Sequence, residues 1–322
     1  MRNFKRVLFG MLFVGTIMCV NQVLDLALKP TDSFRSDMHN LETNDYDTIF
    51  VGTSHGKAGI NPNVVDAMTG DKSLNLCRGG ENVVDSYNIV REAYRVNKIK
   101  KVVYEMDPGY WCTDGNLGPD SRTFYDEFPF STIKADYYLD KFWGEDFRVT
   151  VFPWYLYKKG VNGAVSRFQS KLTDSYRNYD YQFYDTEVQK FTERGQIAIQ
   201  RHETPKDEKN LVLWEENELS KKTITEFDKM VSFCRKKNIS LVVVTAPVPQ
   251  ETIETYRSNF EKANAFFTKF MQGRGVKYYN YNYMNIDGFD KSLNGFVDYD
   301  GHMFTDQADI FSKEIGKLMK EM

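Results

Sequence analysis

The sequence predicts an α/β domain on a five-stranded parallel sheet, with an aromatic-rich insert and an N-terminal membrane helix. Three observations carry that reading. Short β-branched runs alternate with stretches of helical apolar spacing over residues 47–108 and 219–322. Between residues 110 and 215 the alternation lapses into runs such as FYDEFPF and YRNYDYQFYD. The first 28 residues differ in kind from everything after them.

At the N-terminus, Arg2, Lys5 and Arg6 precede the uncharged run VLFGMLFVGTIMCV. Continued as a helix to Leu28, the apolar stretch is about 33 Å long at ~1.5 Å per residue, enough to cross a bilayer. Basic residues ahead of the span keep that end cytoplasmic and place the rest outside the cell membrane as a single-pass, extracytoplasmic domain. A cleaved signal peptide is the competing reading. No A-x-A-like site follows, and Thr16-Ile17-Met18 lacks the small residue expected before a lipidated Cys19, which favours an uncleaved anchor. Asn21, Gln22 and Asp25 are unusual company for such a helix. The organisation expected is therefore an anchor at 1–29, a polar spacer at 30–46 and one domain at 47–322 with its insert at about 110–215.

Within that domain, residues 47–52 (DTIFVG), 73–77 (SLNLC), 101–106 (KVVYEM), 240–247 (SLVVVTAP) and 276–282 (VKYYNYN) read as strands. Helices are expected at 62–68, 83–97, 219–237, 253–272 and 306–322, where apolar residues keep helical spacing. Such a sheet is covered on both faces, and ligands sit outside the carboxyl ends of its strands. Ser54, Gly79-Gly80 and Asp107 each fall just past a strand end, so they share one rim.

Forty-two basic residues stand against 45 acidic ones, a net charge of −3, with no basic stripe for nucleic acid. Four scattered cysteines are too few for a disulfide framework or a zinc site, although Cys77 and Cys112 meet if they follow neighbouring strands. No diffusible cofactor is implied.

The chemistry concentrates in two places. Gly52-Thr53-Ser54-His55-Gly56 fits G-x-S-x-G, the strand-to-helix turn that exposes a nucleophilic serine. A serine needs a base, and the base works best when a carboxylate orients it. Of the four histidines, His39 lies in the spacer, His202 in a charged irregular stretch, and His55 beside Ser54 with its side chain aimed elsewhere. His302, in DYDGH with Asp298 and Asp300, lies on a loop that reaches the same rim. His55, His302 and Asp300 as a metal site is a weaker alternative of nonspecific spacing. Plain turn, capping and packing roles are the bland alternatives for Ser54, His302, Asp107 and the glycines.

The order of these parts does not suit an α/β-hydrolase, whose serine follows several strands and whose acid and histidine occupy separate loops. DTIFVGTSHGKAGINPNVVD, NLCRGGENVVDSY and VDYDGHMFTDQADIF resemble the SGNH (GDSL-type) hydrolase superfamily. Within it they are similar to a membrane-anchored branch of alginate O-acetyltransferase-like and teichoic acid D-alanyl transfer proteins. The resemblance covers residues 45–108 and 220–322 and implies a flavodoxin-like three-layer fold with strand order 2-1-3-4-5. It also implies Ser54 as nucleophile within about 4 Å of a nitrogen of His302, His302 as base and Asp300, through an Asp-x-His pattern, as acid, with Asp298 as fallback. The superfamily's G-x-N-D after the third strand is replaced by Met106-Asp107-Pro108-Gly109, so an oxyanion hole falls to the backbone N–H groups of Ser54 and Gly80 or Gly79, helped by Arg78.

The function implied is serine-dependent O-acyl transfer, of acetyl above all, or ester hydrolysis on a cell-surface polysaccharide through an acyl-serine, with a membrane-bound O-acyltransferase as partner. The alternatives are a catalytically silent glycan-binding or scaffolding subunit, and a lipid or peptidoglycan esterase. The insert is expected to cover Ser54 and wall an open groove, with Trp111 lining it and Tyr125, Trp154, Tyr155 and Tyr157 offering further sugar-stacking faces; packing is the alternative for these rings.

Overall fold

The computed structural model describes residues 2–112, 119–144, 146–203 and 211–322. Its strands are β1 (Thr48–Gly52), β2 (Ser73–Asn75), β3 (Lys101–Glu105), β4 (Gln189–Phe191), β5 (Ile197–Ile199), β6 (Ser240–Thr245) and β7 (Lys277–Asn280). Five of them form one parallel sheet in the order β2-β1-β3-β6-β7. Counting only these five along the chain, the order is 2-1-3-4-5, as the sequence led us to expect. β4 and β5 pair antiparallel as a separate hairpin inside the insert.

Alternation along each strand sorts the core into two halves, because successive side chains leave a strand on opposite faces. Ile49, Val51, Val102, Tyr104 and Val243 pack on one face with residues of the helices Phe34–Thr43, Val83–Asn97, Lys221–Lys236 and Arg257–Gly273. Phe50, Val103, Val242 and Val244 pack on the other with residues of Pro62–Thr69 and Thr305–Lys320. Helix starts are chemically specified. Asn82 and Asp85 form a reciprocal capping box ahead of Val83–Asn97, and Ser220 caps Lys221–Lys236.

Two expectations change. Residues 30–46 are not a loose spacer, since Phe34, Met38 and Leu41 are buried at 1%, 2% and 0% exposure in the main core. The polar residues of that stretch hid a three-residue apolar stripe at helical spacing. The insert is also far from irregular. It holds the helices Thr132–Lys141, Phe147–Val151 and Ala164–Ser170, each too short for periodicity to register in a sequence window. Cys77 and Cys112 are not bridged; all four cysteines are free thiols.

The N-terminal helix runs from Arg2 to Leu28 and is long and apolar enough to span a membrane.

β1 and β3 meet most tightly at Gly52, whose φ is +143° and where a Cβ would lie 2.1 Å from the carbonyl oxygen of Glu105. Gly52→Ala should therefore cost more than about 1 kcal/mol of stability. A urea titration of the detergent-solubilised chain checks this, and an unchanged midpoint would contradict the account.

Candidate active site

β1 ends in Gly52, and the short helix Ser54–Gly59 starts one residue later. Thr53 between them is extended, and its hydroxyl accepts from the His55 N–H at 3.3 Å. The buried carboxylate of Glu105, at the end of β3, fixes this turn. Its Oε2 accepts from the Thr53 N–H (3.0 Å), the Thr53 hydroxyl (2.7 Å) and the Gly56 N–H (3.2 Å). From the other side, the Asn75 amide donates to the carbonyls of Gly56 and Ile60, both at 2.8 Å. Gly56 must lack a side chain, because a Cβ there would lie 2.6 Å from Cys77 Sγ. The second glycine of G-x-S-x-G is thus set by packing. Ser54, at the first position of the helix, keeps a backbone N–H without an intrahelical acceptor.

His302 arrives from the other end of the chain. Phe296 and Met303 form an antiparallel bridge, and the Val297 N–H donates to the His302 carbonyl at 2.7 Å, which closes DYDGH into a tight loop. His302 Nε2 lies 2.8 Å from Ser54 Oγ. Its Nδ1 lies 2.8 Å from Asp298 Oδ2, while Asp300 Oδ2 stands off at 4.0 Å. The expectation that Asp300 contacts the distal nitrogen is therefore corrected: Asp298 does. The reason is local. Asp298 Oδ1 accepts from the N–H groups of Gly301 (3.0 Å) and His302 (3.2 Å), so the loop folds around this carboxylate. With Nδ1–H donating to Asp298, Nε2 is the acceptor for the serine proton.

Asp300 belongs to a second group. His55 is buried with its Nε2 3.7 Å from Asp300 and its Nδ1 3.7 Å from Asp107, its ring 5.1 Å from that of His302. These are ion-pair distances, too long for hydrogen bonds. Burial opposes a charge on His55, but Asp300, and then Asp107 and Glu105, push its pKa up to about 10. Burial raises Asp107 to about 6 against the pull of His55. Burial also opposes the charge on Asp298, but the hydrogen bond and charge of His302 and two backbone donors hold it down at about 2. In the same way Asp300, resisted by burial, is kept below the usual range by His55 and His302. Asp107 thus faces a cation and has no part in receiving an oxyanion.

Donor atoms of His55, Asp300 and His302 lie within 4.8 Å of one another, so these three could hold a metal ion. Both His302 nitrogens already face Ser54 and Asp298, and a metal would have to displace one of them.

A cleft of about 580 Å³ is lined among others by Asp32, Lys57, Arg78, Gly79, Tyr184 and Phe191; Ser54 itself does not line it. Gly79 joins it to the serine turn: a Cβ placed on Gly79 would be 3.7 Å from Ser54 Cβ. Gly80 beside it has φ +72°, the turn role considered for it. Arg78 is paired with Asp32 at 2.8 Å, and Lys57 with the buried Asp37 at 2.5 Å. The insert supplies the far wall through its β4–β5 hairpin, which is held at the sheet edge by the Asn75 N–H donating to the Arg194 carbonyl at 2.9 Å.

Trp111 does not line the cleft. It is 1% exposed and packs on Phe227, Phe267 and Phe270 at 5.1–5.4 Å between ring centroids. Of the other rings, Tyr125 packs with Tyr138 and Phe142, Tyr157 is buried, and Trp154 meets the N-terminal helix. Glu105 and the Tyr184–Phe191 wall escaped the sequence reading. A lone glutamate ending an apolar strand was the one available signal for Glu105.

His55, with its pKa raised, contributes stability that is fully present below pH 6.5 and lost as pH rises through about 10. The thermal midpoint advantage of wild type over His55→Gln should therefore shrink across pH 7 to 10. A constant difference would show that His55 carries no charge in the fold.

No protein-family model matches the chain, and a search of curated proteins finds no match. Among solved structures it is similar to a Bacteroides fragilis protein put forward as an acylhydrolase. The identity is 12%, the alignment covers 91% of this chain and 99% of that one, and the TM-score is 0.43.

Proposed function

We propose that this chain transfers or hydrolyses an O-acyl group, acetyl above all, on a cell-surface glycan through an acyl-serine at Ser54. The observation that carries the reading is the continuous hydrogen-bond chain Ser54–His302–Asp298 at 2.8 Å and 2.8 Å. The resemblance of its sequence blocks to the SGNH superfamily and its glycan-acylating branch supports the substrate class.

In this mechanism His302 Nε2 takes the hydroxyl proton as Ser54 Oγ attacks the ester carbonyl. Asp298 holds the imidazole in register and stabilises the imidazolium. The tetrahedral intermediate places its oxyanion against the backbone N–H groups of Ser54 and Gly79 or Gly80. Collapse expels the alcohol, which takes the proton from His302. A sugar hydroxyl or water, deprotonated in turn by His302, then releases the acyl group. Basic residues ahead of the N-terminal helix support an outward-facing domain, and a membrane-bound O-acyltransferase would suit as the source of acyl groups.

One feature favours a silent glycan-binding subunit instead: with Met106-Asp107-Pro108-Gly109 after β3, no asparagine side chain is available to the oxyanion, a kind of donor worth about 10²–10³ in turnover.

A serine-directed fluorophosphonate and a chromogenic acetyl ester separate the two readings. Ser54→Ala should abolish labelling, and Asp298→Asn should lower ester turnover by about 10⁴, the loss seen when a triad acid no longer fixes the tautomer. Asp300→Asn should cost far less. Labelling that survives Ser54→Ala would remove the nucleophile. A wild-type chain that is folded yet neither labels nor turns over would favour the silent subunit.

A further inference from the structure

The aromatic insert has a second arm, away from the cleft, which the chemistry of Ser54 does not use. This arm wraps the end of the N-terminal helix. The Trp154 N–H donates to Asp25 at 2.7 Å and its indole N–H to Asn21 at 2.8 Å. Arg167 donates to the Ala27 carbonyl at 3.1 Å, and Lys171 to that of Lys29. Two of the three polar residues that look out of place in a membrane span, Asn21 and Asp25, are therefore partnered by the insert, while Gln22 is exposed. Below them the helix is bare: residues 3–14 are all exposed. The level at which protein begins to cover the helix is where the chain would leave the bilayer.

The insert also turns apolar side chains outward, and two of its segments, Pro153–Tyr157 and Ala164–Ser170, pack on the N-terminal helix. Of the large hydrophobic residues exposed outside the N-terminal helix, eight lie between Phe130 and Leu172, and only Val212, Tyr283 and Met284 lie elsewhere among the described residues. Trp143, Phe147, Val161 and Val165 are 61–73% exposed. Phe147 and Val165 lie on short helices of the arm, and Ala164–Ser170 packs directly on the N-terminal helix. Residues 130–172 carry seven Lys or Arg against four Asp or Glu, in a chain whose net charge is −3. Exposed apolar surface of this density marks an interaction face, and apolar groups mixed with basic ones suit a lipid headgroup boundary. An apolar cleft of about 230 Å³ continues from Phe152 and Trp154 down the helix to Ile17 and Phe13, about 12 Å below Asn21 at ~1.5 Å per residue.

We infer that residues 130–172 form a collar seated on the bilayer, with Trp143, Phe147, Val161 and Val165 in the headgroup–acyl boundary. This rests on the reading of the N-terminal helix as a membrane anchor. The occupant of the face is lipid, because the face is continuous with a helix whose bare portion already requires lipid. The collar has a consequence for the cleft. Thr31, Asp32 and Ser33 line the cleft and follow Leu28 by three to five residues, a reach of at most about 18 Å. A collar that lies on the membrane holds this cleft, and Ser54 beside its Gly79, just above the surface, where an acyl group delivered from the membrane arrives.

The test uses the full chain in lipid nanodiscs, with Val165→Trp as reporter and phospholipids brominated along the acyl chain as quencher. Val165 is 71% exposed, so the larger ring displaces no core. The emission added by the new indole should be blue-shifted and lose at least half its intensity in brominated discs, while soluble iodide leaves it unchanged. Added emission that iodide quenches and bromolipid spares would overturn the collar, including the case of a protein partner for this face. Resistance of the chain to alkaline carbonate extraction from membranes reports on the anchor separately. A chain extracted by carbonate overturns anchor and collar together. A chain retained in membranes with an unquenched reporter overturns the collar alone.

Discussion

A carboxylate removed from water at the end of a central strand sets the geometry on which this site depends. Glu105 has no exposure, and one of its oxygens accepts three hydrogen bonds from Thr53 and Gly56. A buried carboxyl is costly without such donors, and those on Oε2 come from the first turn of the helix that carries Ser54, while Oε1 has no partner among the described residues. Gly52 and Gly56 bring that turn close enough to be held, since a Cβ at either would strike Glu105 or Cys77. The serine is positioned by contacts its own side chain does not make.

Two histidine–carboxylate couples lie side by side at this rim and differ in their access to water. His302 and Asp298 are about a quarter exposed, which leaves them open to substrate. His55 is shut in between Asp107 and Asp300, which push its pKa up against its burial. Asp300 lies 3.7 Å from His55 and 4.0 Å from His302, while Asp298 holds His302 Nδ1 at 2.8 Å. Three carboxylates and one serine thus meet two imidazoles at this rim.

The insert serves two surfaces from one excursion off the sheet. Its hairpin walls the cleft at the β2 edge, while its helical arm closes on the end of the N-terminal helix. The short polar segment after Leu28 runs between them and becomes the core helix Phe34–Thr43. N-terminal helix, cleft and sheet are therefore joined by packed structure.

The sequence by itself determined the strands of the parallel sheet and the helices that cover it outside residues 30–46 and the insert, the rim shared by Ser54 and His302, and the apolar N-terminal helix. These follow from periodicity and from turn residues at strand ends, which are local properties of the chain. Its Asp-x-His pattern pointed to Asp300 where the structure has Asp298, because two residues apart in a loop both remain within reach until the backbone bends. The bend is set by Asp298 capping its own loop, while Asp300 lies beside His55, 245 positions away from it. It could not separate the buried Trp111 from rings that line a surface, since an indole reads the same in either place. Nor could it show that Asn21 and Asp25 have partners at Trp154. Pairing across long sequence distances depends on which faces meet in the folded chain, and that is decided only when the layers pack.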